Sequence, residues 1–149
     1  LVEFPKWVQT SGIAGGSDPQ KTAQLVARIS KERGMPAPDF IQCEDADLEI
    51  LKAACRSGRA PGVTYGLSPT KRYGGDAIAH MVSLVHADDT TFCVLDSNYP
   101  GDKQYEFLTP QEFLTAYCTV PTRAGRPINN RRGWCIIFLA SAGPPSPVN

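Results

Sequence analysis

Two side chains of complementary chemistry flank a pair of β-rich runs in the middle of the chain. His80 opens the run 80–86, Asp96 closes the run 91–96, and Asn98 follows two residues later. An imidazole held by a carboxylate or carboxamide on a neighbouring strand is the base and orienter half of a nucleophilic triad, because the orienter fixes the tautomer and stabilises the imidazolium. The spacing therefore predicts acid–base chemistry at the open end of a hairpin.

The same residues also fit a plainer interpretation, in which His80 is a hydrogen-bonded histidine at a strand edge and the polar segment after the second run is a turn. If residues 88–89 form a two-residue turn, His80 lies opposite Ser97 and Asp96 points to the other face of the sheet. A bulge or a twist is then needed to aim Asp96 at the ring, and Asn98 has the same parity problem.

The elements that must position these residues are helices first and strands later. Asp18 and Pro19 provide an N-cap and a first-turn proline for a helix over 19–33, which Gly34 ends. A second helix falls within 47–59, where acidic residues at its start complement the helix dipole. A capping box with proline at the first helical position, Thr109-Pro110-Gln111-Glu112, opens a third helix.

Strands are predicted at 62–66, 80–86, 91–96, 104–108 and 134–139. The expected fold is α+β, with N-terminal helices over residues 19–57 packed on a twisted antiparallel sheet. The 149 residues, 42% of them hydrophobic, suit one domain over 1–142, followed by a proline-rich tail over 143–149.

Composition excludes several classes of partner. With 15 basic and 15 acidic residues the chain has no net charge, so we expect neither nucleic acid nor a membrane surface as its partner. Five cysteines without a Cys-x-x-Cys pair predict no metal site and no cofactor, and an odd number of them suits reduced thiols in the cytoplasm.

The segments 80–89 and 93–98 together resemble the His-to-Asn/Asp hairpin of papain-like cysteine peptidases, and particularly the small bacterial branch related to bacteriocin-leader (double-glycine) peptidases. Over roughly 15–145 the chain resembles uncharacterised bacterial proteins that carry this peptidase-like domain. The resemblance implies a papain-like fold, a peptide or protein as substrate or partner, His80 as base and Asp96 as orienter, with Asn98 as the substitute.

The nucleophile is the part of this pattern that the chain lacks. The resemblance implies a Gly-Ser-Cys type motif at the start of a helix that precedes the first helix predicted here, and no cysteine lies there. Ser17 has a suitable place in the order, but helix capping explains a residue of this type before Pro19. We therefore expect either a segment missing near residues 10–11 or a relative that has lost the nucleophile.

Two classes of function stay open from the sequence. One is a thiol peptidase or amidase, with acyl transfer by the same dyad as a variant; the other is a catalytically inactive structural or binding module, for example one subunit of a larger assembly. The segment 71–75 is expected to be either a substrate-contacting loop or a flexible surface connection. His86 and the arginines of 123–132 are expected to lie on the solvated surface.

Overall fold

The computed structural model describes residues 18–121, 127–128 and 132–139. The chain divides into two compact units, one formed by residues 1–39 with 140–149 and the other by residues 40–139. The described parts of the second unit combine helices with an antiparallel sheet, so the α+β class is confirmed.

Helix α1, Pro19–Arg33, belongs to the first unit and has the predicted bounds. The side chain of Asp18 accepts the backbone N–H of Lys21, and Gly34 ends the helix in the left-handed conformation at φ 61°. Across the ranges that the structure describes, no helix is both long and apolar enough to cross a membrane.

The second unit is built on a six-stranded antiparallel sheet that does not close on itself, in the order β1-β8-β2-β3-β4-β5. The strands β6 and β7 form a separate pair. In chain order the elements are β1 (Phe40–Glu44), α2 (Glu49–Arg56), β2 (Gly62–Thr64), β3 (Met81–Ala87), β4 (Phe92–Leu95), β5 (Tyr105–Leu108), α3 (Pro110–Cys118), β6 (Val120–Pro121), β7 (Pro127–Ile128) and β8 (Trp134–Phe138).

The sheet differs from its sequence prediction most clearly at β1 and β2, while the bounds of β3, β4, β5 and β8 differ by one residue at one or both ends. Strand β1 is absent from the strands predicted above, yet it pairs with β8 along its whole length and adds a sixth strand. Strand β2 ends at Thr64 rather than at Gly66, because Gly66 leaves the ladder to approach α3 and donates its N–H to the carbonyl of Ala116. A Cβ at Gly66 would lie 1.6 Å from the carbonyl oxygen of Thr119, so only glycine fits this approach.

The central hairpin is confirmed as β3 and β4, and its connection is shifted by one residue from the predicted 87–90. Ala87 pairs with Phe92, and four residues connect the strands. The register then shifts between Leu84 and His86, which leaves Val85 as a bulge and brings Leu84 opposite Val94. The bulge that the sequence required for Asp96 to reach His80 is therefore present, five residues after His80 along β3.

An apolar core lies between the helices α2 and α3 and one face of the sheet. Leu51 of α2 and Phe113 of α3 are completely buried together with Leu84 and Val94 of the hairpin. The rings of Phe92 and Phe113 stack with centroids 4.6 Å apart, joining α3 directly to β4. This packing holds the hairpin, whose open end carries the candidate site, against the two helices.

Candidate active site

The site lies at the open end of the β3–β4 hairpin, on the core side of the sheet. His80 immediately precedes β3, and its carbonyl accepts the N–H of Tyr65 beyond the end of β2. Asp96 immediately follows β4, and its N–H donates to the carbonyl of Gln104. Because side chains alternate along strands, the bulge at Val85 puts Asp96 on the same face as His80.

His80 and Asp96 form the predicted pair. The imidazole Nε2 lies 3.0 Å from Asp96 Oδ1, within hydrogen-bond distance. The Asp96 side chain is 1% exposed and that of His80 is 20% exposed, so the carboxylate is enclosed while the ring keeps one edge near solvent. A buried carboxylate behind a partly open imidazole is the arrangement of a base with its orienter.

Tyr73 is the third member of the cluster and covers the contact between the other two. Its hydroxyl donates to Asp96 Oδ2 at 2.5 Å and lies 3.2 Å from His80 Nε2. Its ring meets the imidazole edge to face, with centroids 5.5 Å apart. The amide Nδ2 of Asn98 donates to the same hydroxyl at 3.1 Å. Tyr73 thus shields the hydrogen bond between His80 and Asp96 from water.

These contacts fix the tautomer of His80. An ionised carboxylate only accepts hydrogen bonds, and the single proton of the Tyr73 hydroxyl is donated to Asp96. Neither neighbour can therefore donate to Nε2, so Nε2 must carry the proton that it shares with them. Within residues 18–121 and the shorter described ranges, Nδ1 has no hydrogen-bond partner. In the neutral ring Nδ1 is the nitrogen that can accept a proton from a substrate or a nucleophile.

The electrostatics of the cluster keep Asp96 ionised. Burial acts to raise the pKa of Asp96, but hydrogen bonds from Tyr73, His80 and the backbone N–H of Asn98 outweigh burial and lower the pKa below its usual range. Burial and then the hydrogen bond to Asp96 raise the pKa of Tyr73 to about 12, so its hydroxyl stays protonated as a donor. Asp96 can accordingly stabilise a positive charge on His80.

The structure brings all three predicted site residues together, but in unequal roles. Asn98 donates its backbone N–H to Asp96 Oδ1 at 3.1 Å, and its side chain binds Tyr73 rather than the imidazole. The orienting position beside His80 is filled by Asp96. His86 lies exposed near the end of β3 and bonds to Asp88 in the turn. Ser17, residues 10–11 and the tail over 143–149 lie outside the described residues.

Four of the five cysteines have an environment unlike that of an activated thiol. All five are free. Burial raises the pKa of Cys55, Cys93, Cys118 and Cys135, whereas a nucleophilic thiol needs a lowered pKa. Cys93 also lies on β4 at odd spacing from Asp96, so its side chain is on the opposite face of the sheet. The described cysteines therefore serve as packing residues.

Sequence reasoning missed the importance of Tyr73, which it placed only within a loop expected to contact substrate or solvent. The available signal was weak: a tyrosine followed by two glycines shortly before His80. It also missed Glu106, which is 4% exposed on β5. Glu106 alternates with exposed Tyr105 and Phe107 and shares a face with buried Leu108, so an acidic residue at an inward position was the detectable signal.

Comparison with known proteins assigns no family to this chain. No family model matches it, and no curated protein matches it. Among the described residues, no group of three or more His, Cys, Asp and Glu side chains is arranged to hold a metal ion. What the site can do must be inferred from its own geometry.

Proposed function

We propose that this chain supplies the base and the orienter of a papain-like thiol peptidase or amidase. The observation that carries the proposal is the difference between the two nitrogens of the imidazole. Nε2 is held by buried Asp96 and covered by Tyr73, while Nδ1 has no hydrogen-bond partner in the described part of the chain. This leaves one nitrogen of His80 committed to orientation and the other available for proton transfer.

In the proposed reaction, Nδ1 of His80 takes the proton of a thiol as its sulfur attacks the carbonyl carbon of a peptide or amide. The resulting imidazolium is stabilised by ionised Asp96, which does not itself take the proton. The imidazolium then protonates the leaving amine, so the C–N bond breaks and a thioester remains. Water, deprotonated by the same nitrogen, hydrolyses the thioester and restores the thiol.

The nucleophile is proposed to come from polypeptide outside these 149 residues. The sequence has cysteines only at 43, 55, 93, 118 and 135, and burial raises the pKa of four of these thiols. A helix N-terminus carrying the thiol against Nδ1 would complete the site, since the helix dipole favours the thiolate. The open antiparallel sheet with helices on its core side supports a papain-like arrangement of these parts.

A second candidate function is a non-catalytic module of the same fold that binds a protein partner. The raised pKa of these four buried or half-buried thiols favours this alternative, because a base without a nucleophile cannot form an acyl intermediate. Under either function the partner is a peptide or protein. Five free thiols support a cytoplasmic location for the protein.

Thiol labelling of the natural protein that contains this sequence separates the two functions. At pH 6 a thiol with an ordinary pKa near 8.5 is less than about 1% thiolate, so a thiol activated by His80 should react with iodoacetamide about 100-fold faster. We expect one fast thiol, lying outside these 149 residues, that becomes slow in His80→Ala. The matched control is His86→Ala, which removes the exposed second histidine of the chain and should leave the fast thiol unchanged.

Uniformly slow labelling would reject the peptidase and support the binding module. A fast thiol that His80→Ala does not slow would also reject His80 as the base.

A further inference from the structure

Glu106 is a buried carboxylate in the middle of β5, directly opposite Val94. It lies on the core side of the sheet, with buried Val94 directly across from it and buried Leu108 two residues further along β5. A charge in such a place is costly unless several groups bond to it. Among the described residues, the side chains that bond to Glu106 all come from one part of the chain, residues 65–72.

These partners tie the loop that follows β2 to the sheet. The Tyr65 hydroxyl donates to Glu106 Oε2 at 2.5 Å, and the Ser68 hydroxyl donates to Oε1 at 3.1 Å. Thr70 donates to Oε1 at 3.2 Å, and Arg72 Nε lies 3.3 Å from Oε2. Four residues of a single loop thus converge on one carboxylate.

Arg72 extends this attachment along the edge strand. Its Nη2 donates to the backbone carbonyls of Lys103 and Tyr105, and its guanidinium lies over the ring of Tyr99 at 4.4 Å. The guanidinium is therefore held on three sides, by a carboxylate, by backbone oxygens and by an aromatic face. These contacts of Arg72 also restrict the position of the next residue, Tyr73.

The backbone around Arg72 would not keep this shape unaided. Lys71 and Tyr73 both have left-handed conformations, at φ 61° and 58°, which are unfavourable for residues with a Cβ. Contacts elsewhere must compensate for this strain, and the bonds to Glu106 are the buried ones that do so. The strained turn aims the Tyr73 hydroxyl at His80 and Asp96.

We propose that Glu106 is a positioning residue for the site: through Arg72 it holds the loop that lays Tyr73 over the hydrogen bond between His80 and Asp96. This role rests on the proposed function, because positioning serves chemistry only if His80 is the base. It also explains a charged residue at an inward position of β5, since an apolar side chain there would pack but could not anchor Arg72.

The test measures exchange with water of the His80 Nε2 proton, observed by NMR in the full chain. In the wild type this proton is bonded to Asp96 and covered by Tyr73, so it should exchange slowly. Glu106→Gln keeps the side-chain volume and removes the charge, whereas Arg72→Met removes the guanidinium from the loop. Each should speed exchange by about tenfold or more, and so should Tyr73→Phe.

Phe113→Leu is the matched control for a merely structural effect. It removes part of a fully buried ring in α3 and touches none of the loop contacts, so it should lower stability without speeding exchange of this proton. The Arg72 variant keeps the test decisive if Glu106→Gln does not fold, because Arg72 lies on the loop and not on a strand.

Slow exchange retained in Glu106→Gln or in Arg72→Met would overturn the positioning role, and so would slow exchange retained in Tyr73→Phe. Equal acceleration in Phe113→Leu would overturn it as well, since general loosening would then explain the result. Thiol labelling and proton exchange test different proposals. The absence of a His80-dependent thiol rejects the proposed function, while the exchange rates alone decide whether Glu106 holds Tyr73 in place.

Discussion

Replacing Asp96 by asparagine should lower the free energy of unfolding by about 3 kcal/mol at neutral pH. Asp96 accepts three hydrogen bonds, from Tyr73 at 2.5 Å, from His80 at 3.0 Å and from the Asn98 N–H at 3.1 Å. A hydrogen bond to a charged group is worth about 1 kcal/mol more than a neutral one, so three of them give the total. Asparagine fills the same volume, which confines the change to charge and bonding.

The loss should depend on pH with a definite sign. The pKa of Asp96 is lower in the folded chain than its unfolded value of about 3.9. A carboxyl group with a lowered folded pKa stabilises the fold fully above its unfolded pKa, and this stabilisation disappears as pH falls through the folded pKa. The difference in stability between wild type and Asp96→Asn should therefore be constant above about pH 5 and shrink below about pH 4.

Urea unfolding of both proteins, followed from pH 7 to pH 2.5, measures this difference directly. Asp102→Asn makes the same change of charge at an exposed position in the turn after β4, and it should leave stability nearly unchanged. The reasoning fails if Asp96→Asn costs no more than Asp102→Asn. It also fails if the difference persists undiminished at the acid end, because the lost stability would then not come from the ionised carboxylate.

Three further outcomes follow from single contacts. NMR titration of the Tyr73 ring should give a pKa of about 12, and Asp96→Asn should lower it, because burial and then the bond to Asp96 raise it; an unchanged value would contradict the bond. Gly66→Ala should lower the free energy of unfolding by at least about 3 kcal/mol, because its Cβ would meet the Thr119 carbonyl. Gly62→Ala, whose Cβ would make only ordinary contacts, should change it by less than about 1 kcal/mol. Comparable melting temperatures of the two variants would refute this. Burial raises the pKa of four cysteine thiols, so these should react slowly with iodoacetamide at pH 7 in the native chain and quickly once urea unfolds it. Mass spectrometry measures this labelling, and rapid labelling of the native chain would contradict the prediction.

The elements that sequence predicted well are those governed by neighbouring residues. Helix α1 begins after Asp18 and ends at Gly34 because capping and a left-handed glycine act within one turn. The reciprocal capping box between Thr109 and Glu112 is confirmed for the same reason. The existence of the hairpin also followed from the local β-rich pattern, which places His80 and Asp96 at the same open end.

The sequence by itself thus determined the bounds of α1, the capped start of α3, the hairpin and the two titratable residues at its open end. Only the tertiary structure decided the bulge at Val85, which sets the face that Asp96 occupies, since a register shift depends on how both strands pack against the core. It also decided the contacts of Tyr73 with Asp96, 23 positions apart, and of Tyr65 with Glu106, 41 positions apart. No local rule connects residues so distant, because their meeting depends on the folded sheet and on a strained loop held in place by a buried charge.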